Sequence, residues 1–166
     1  MAASVARAHG ARVNNKLDAE MAQTTAVFEA GREQLLLQLV DPPPGVQGIE
    51  YSVLHMGESH VPASRALDAV VLYIAAEQRE DGNWPYLAGG VPRPPIQDGD
   101  FFSTAVGIRC LQLYNIPGRR IEFQERIRRA GVWLKNAQPR STEDRAMQLL
   151  GLRWAGIPAE SRTREL

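Results

Sequence analysis

Apolar residues recur at spacings of three and four along most of this chain, and each run ends at proline or glycine. From about Asn15 to Val40, Leu17, Met21, Thr24/Thr25, Phe28, Leu35/Leu36 and Leu39 follow a helical period, with Gly31 a soft spot inside. Asp41-Pro42-Pro43-Pro44-Gly45 stops that run, because proline has no N–H to donate and disfavours helix in the residue before it. The apolar segment Ile49–Met56 follows, and its β-branched and aromatic content fits a strand as well as a helix. Val61-Pro62 opens a pattern through Leu67, Val70/Val71, Ile74 and Ala75 to Gln78. Phe102–Tyr114 is an apolar helical run, Arg120 to Gln138 a charged amphipathic one, and Glu143–Trp154 apolar again.

Repetition decides the ambiguous segment. Val61-Pro62, Ile116-Pro117 and Ile157-Pro158 each follow an apolar run and precede a more polar one, with proline suited to a first helical turn. Tyr73-Ile74 stands at the same offset from Gln78 as Trp133-Leu134 from Gln138. A period of roughly 40–55 residues predicts stacked helical hairpins, and Ile49–Met56 is therefore expected to be a helix. The expectation is an all-α chain with a weakly ordered segment over 1–14, a single helical-repeat domain over 15–158 and a tail over 159–166. Phe102–Tyr114 and Arg145–Trp154, apolar nearly all round, read as inner helices buried on both sides. Arg120–Asn136 reads as an outer helix, with Glu122–Arg126 and Glu125–Arg129 pairs on its polar face.

Composition narrows the function classes. The chain has 166 residues, 44% of them apolar, and a formal net charge of zero, which gives no reason to expect a nucleic-acid partner. No run approaches the ~18 apolar residues of a membrane span, and Met1 to Gly10 lacks the apolar region of a signal peptide. Compartment is not readable. The single cysteine, Cys110, forbids an intrachain disulfide.

Gln78-Arg79-Glu80-Asp81-Gly82-Asn83-Trp84-Pro85-Tyr86 reads as a stop-turn-anchor unit. Asp81-Gly82 is turn chemistry, Trp84 can cap a helix end, and the Gln78 amide can satisfy backbone groups freed there. Gln78, Asp81, Gly82 and Trp84 resemble the glutamine–tryptophan repeat of the squalene–hopene cyclase type, within the α/α-toroid family of terpenoid cyclases and protein prenyltransferases. Gln138 resembles only its first half, since Pro139-Arg140-Ser141-Thr142 follows. The resemblance covers about residues 47–158. It implies an α/α-toroid-like stack of about three hairpins, a partial toroid, binding an apolar or isoprenoid-like small molecule. Such cyclases protonate a double bond with an aspartate in a DxDD-Thr-Ala motif. Anchoring on Thr104-Ala105 puts Phe102 and Ser103 where the adjacent aspartates belong, so the proton donor is missing. The prenyltransferases' zinc set has no counterpart around Cys110, and neither metal nor cofactor is expected.

Candidate chemistry gathers ahead of the inner helices. Asp98 and Asp100 suit either capping or a cavity-facing acid role, and Ser141-Thr142-Glu143-Asp144 resembles a capping box. In a toroid, Asp98, Asp100, Glu143 and Asp144 would lie on one face, where paired carboxylates do acid–base work, with Arg145 and Arg153 to neutralise them. Trp84 and Tyr86 are candidate ligand contacts, since aromatic faces attract cations. Residues Tyr86 to Gln97 form a lid or a solvated excursion. Two rival functions are a non-catalytic helical-repeat scaffold and a glycan-processing α/α barrel. A partial stack leaves apolar end faces, so the chain is expected to be a segment of a larger protein or to self-associate.

Overall fold

A computed structural model of the chain describes residues 6–7, 9–12, 16–37, 46–85 and 99–158. Among these residues there are seven α-helices and no strand: α1 (Lys16–Ala30), α2 (Arg32–Leu37), α3 (Val46–Glu58), α4 (Arg65–Ala76), α5 (Asp100–Leu113), α6 (Arg120–Asn136) and α7 (Thr142–Trp154). Ile49–Met56 is helical, as the repeat requires. The run expected from Asn15 to Val40 is broken at Gly31, the soft spot, into α1 and α2.

Local chemistry fixes the boundaries. Ser64 caps α4 by accepting from the Leu67 N–H at 3.2 Å. Helices α3 and α7 end alike. His60 (φ 57°) and Gly156 (φ 76°) adopt left-handed backbone, and Val61 N–H bonds Met56 O while Ile157 N–H bonds Leu152 O. This closure satisfies the last carbonyls and turns the apolar residue after it back onto the helix; the proline that follows prevents continuation. The repeated apolar–proline pairs at 61–62 and 157–158 are therefore helix exits: Pro62 lies ahead of the Ser64 cap of α4, and it is Pro117 that stands in a first helical turn, that of the 3-10 turn Pro117–Arg119.

The helices form two rows. Tyr51 meets Phe102 with ring centroids 5.2 Å apart, and one to two turns on Glu58 pairs with Arg109 at 2.7 Å, so α3 and α5 run parallel. Gly99 lies against Asp144, Ala105 against Gly151, and Gln112 donates to Trp154 O at 2.6 Å, so α5 and α7 run parallel too. Short turns reverse the chain from α3 to α4, from α5 to α6 and from α6 to α7, and α4 and α6 lie in the other row with α1 and α2 flanking α4. Between its neighbours α5 is buried along most of its length, from Phe101 to Ile108 and again at Cys110 and Leu111.

Two expectations need correction. Helix α7 was expected to be buried on both sides, yet only Gln148, Gly151 and Leu152 are buried, because among the described residues it has an inner-row neighbour, α5, on one side only. On α6 Glu122 pairs with Arg126 at 2.9 Å, but Glu125 pairs with Arg128 rather than Arg129. The Arg129 guanidinium is drawn away to Gln78, whose Oε1 accepts from it at 2.8 Å.

Candidate functional site at the head of the inner helices

The Gln78–Trp84 unit is a fastener between three helices. Gln78 Nε2 donates to Gly82 O at 2.8 Å, closing its own turn, and to Arg126 O on α6 at 2.9 Å. Gly82 has φ +104°, and a Cβ there would lie 2.6 Å from Arg129 O. Only glycine fits, for backbone and for space. Asp81 Oδ1 accepts from Asn83 N–H at 3.3 Å, the local turn bond of an aspartate. Trp84 is wholly buried; its Nε1–H donates to Ile74 O at 2.6 Å and its N–H to Thr104 Oγ1 at 3.0 Å. The ring lies on Gly107, where a Cβ would approach Trp84 Cδ2 to 2.8 Å. Trp84 has no surface left for a ligand.

The second repeat solves the same problem with a different residue. Leu134 O corresponds to Ile74 O, and no tryptophan follows it. Gln148, from the next inner helix, donates Nε2–H to Leu134 O at 2.6 Å and to Ala137 O at 3.0 Å. Gln148 stands 44 residues after Thr104, as Gly151 does after Gly107, and Gly151 is as tightly packed, 2.6 Å from Leu134 Cδ1 for a Cβ. Gln138, the sequence match to Gln78, is exposed.

The heads of α5 and α7 lie side by side, since a Cβ on Gly99 would be 3.2 Å from Asp144 Oδ1. The acids there serve the backbone and the turn. Ser141 and Asp144 form a reciprocal capping box, Asp144 Oδ2 also accepting from Arg140 N–H at 2.9 Å. The α5 N-cap is Gly99, with no side-chain bond; Asp100 instead accepts from Asn83 Nδ2 at 2.9 Å and lies 3.9 Å from Arg79. Asp100 thus ties the Trp84 turn to α5. Glu143 sits in the first turn of α7, and Arg145 donates to Gln148 Oε1 at 2.8 Å. Asp98 and Tyr86 lie outside the described residues, as does the whole of the expected lid, Tyr86 to Gln97.

One acid escaped the sequence reading. Glu50, near the start of α3, is wholly buried, and neither carboxyl oxygen has a hydrogen-bond partner. Burial, and then the Glu77 carboxylate, push its pKa well above the ordinary 4.5, which favours the neutral form. The Tyr51–Phe102 contact puts it at the end of the fold where Ser103 Oγ and Asn83 Oδ1 are also buried without partners. Cys110 Sγ–H donates to Glu50 O at 3.4 Å, and burial raises that thiol's pKa well above 9.0, which disfavours the thiolate. The available signal was a lone charge inside the apolar run Ile49–Met56.

No family model, curated protein or solved structure matches the chain. Among the described residues no helix is long and apolar enough to cross a membrane, and no group of three or more His, Cys, Asp or Glu could hold a metal ion.

Proposed function

We propose that the chain is a helical-repeat binding module built on the plan of the terpenoid-cyclase α/α toroids, holding an apolar or isoprenoid-like ligand or a protein partner without chemically converting it. One observation carries the non-catalytic half of this reading: two of the acids that could protonate a substrate at the head of the inner helices, Asp100 and Asp144, are committed to structure. Asp144 closes a capping box and Asp100 accepts from Asn83. Catalytic acids are ordinarily held free to meet substrate with a tuned proton affinity. The toroid half is supported by the Gln78–Trp84 unit, which works as the inter-hairpin fastener that its resemblance implies.

The test is titration of the purified chain with a long-chain isoprenoid alcohol, followed by tryptophan fluorescence and by product analysis. Saturable binding with the alcohol recovered intact is the expected outcome. A cyclised or hydrated product would overturn the non-catalytic reading, and absence of binding would remove the isoprenoid ligand and leave the protein-binding role. Asp100→Asn is expected to leave binding unchanged.

A further inference from the structure

Among the described residues the row of outer helices ends at α6. On its inner flank α6 is gripped by α4: Gln78 holds Arg126 O, and Gly82 sits on the Arg129 backbone. The repeat puts the next outer helix on the opposite flank. A groove of about 400 Å³ lies there, floored by Leu111, Phe123, Ile127 and Ala155 and rimmed by Arg120, Gln124 and Arg128. On helical spacing Lys135 extends the same ridge beyond Gln124, Arg128 and Gly131. Arg120 and Lys135 are exposed, and neither has an ion pair among the described residues.

The opposite end of the stack has the complementary character. Helices α1 and α2 hold the outer position before α4, and they expose Val27 (59%) and Leu37 (58%), while Leu36 faces a groove shared with α4 and α6. They carry four acidic and two basic side chains, whereas α6 carries five basic and two acidic ones. Glu20 and Glu33 are exposed, with no ion pair among the described residues. A chain of zero net charge thus has an acidic outer helix at one end and a basic one at the other.

We infer that the α6 groove receives the α1–α2 face of a second copy of this chain, in head-to-tail association. The alternation of rows carries over without a break. After inner α7 the row requires an outer helix, which the copy's α1–α2 pair supplies, and the copy's α3 then follows α7 in the inner row. Such a contact joins two different faces, so it generates a ring when the rotation closes and an open stack when it does not. The inference depends on the repeat geometry and the charges, and stands whether or not the module binds an isoprenoid.

Sedimentation velocity on the full chain tests it. Wild type is expected to show species heavier than monomer as concentration rises, with the association weakened by added salt. Two variants separate the faces: Arg120→Glu with Lys135→Glu at the α6 end, and Glu20→Lys with Glu33→Lys at the α1–α2 end. All four positions are exposed, so both variants keep the wild-type fold, checked by circular dichroism. Each alone is expected to sediment as a monomer, and their mixture to associate, since the reversed faces are complementary. A wild type that stays monomeric at every concentration and salt overturns the inference. So does a Glu20→Lys/Glu33→Lys variant that associates as wild type does, because a two-fold contact through α6 alone would then explain the assembly.

Discussion

Replacing Glu50 with methionine is expected to stabilise the fold. The native side chain is wholly buried and both carboxyl oxygens are unpaired. A buried polar group without a partner costs roughly 1–3 kcal/mol. Methionine, of similar length, removes those polar atoms for a repacking cost under about 1.5 kcal/mol. The expected net gain near pH ~4, where the acid is largely protonated in both states, is about 1 kcal/mol, worth about 2–4 °C in Tm for a chain of this size. The pH dependence is more diagnostic. Burial, and after it Glu77, hold the native pKa well above 4.5, so the native state keeps a proton that the unfolded chain releases. The acid's contribution is fully present below the unfolded pKa. It is lost as pH rises toward the native pKa, by at most about 1.4 kcal/mol per pH unit. Methionine has no such loss, so the advantage of Glu50→Met should be smallest near pH ~4 and widen toward pH ~8. Urea unfolding followed by circular dichroism across that range measures both effects. A variant less stable than wild type by about 1 kcal/mol or more, or a difference flat in pH, would refute the reasoning and mean that Glu50 has a partner.

Four further substitutions probe the fasteners and the cap of α7. Gly107→Ala drives a Cβ to 2.8 Å from the Trp84 ring and should destabilise by about 1–3 kcal/mol, read as a lower urea midpoint with unchanged m-value. Gln148→Ala strips the bonds from Leu134 O and Ala137 O and should cost about 1–3 kcal/mol, whereas Gln138→Ala, at an exposed position, should stay within about 0.5 kcal/mol. Ser141→Ala removes the N-cap of α7 and should cost about 1 kcal/mol in the same assay.

The hairpin order and the helical nature of Ile49–Met56 were legible because stacked amphipathic helices repeat their apolar spacing and their proline exits. The Gln78–Trp84 unit was legible because its turn residues and anchor are adjacent in the chain. Its second occurrence was misplaced at Gln138, since the amide that answers Leu134 O comes from Gln148, a whole turn and cap later. Spacing along one helix cannot disclose a partner delivered by the next. Asp100 looked like a cap and is instead bonded to Asn83, because Gly99 takes the cap position without a side chain. Glu50 went unnoticed for a related reason: one acid in an apolar run reads as a solvated position until the helices either side of it are known.

The way the hairpins are fastened also governs the order in which the molecule comes apart. The carbonyl of Ile74 is held by a tryptophan beyond its own helix, and that of Leu134 by a glutamine on the following one. The amide of Gln78 reaches forward to α6. No middle hairpin can therefore open without first releasing a neighbour, so opening proceeds inward from the flanks. Backbone amides of α4 and α5 would then exchange with solvent last, protected by the whole stack, while those of α1, α2 and α7 exchange first.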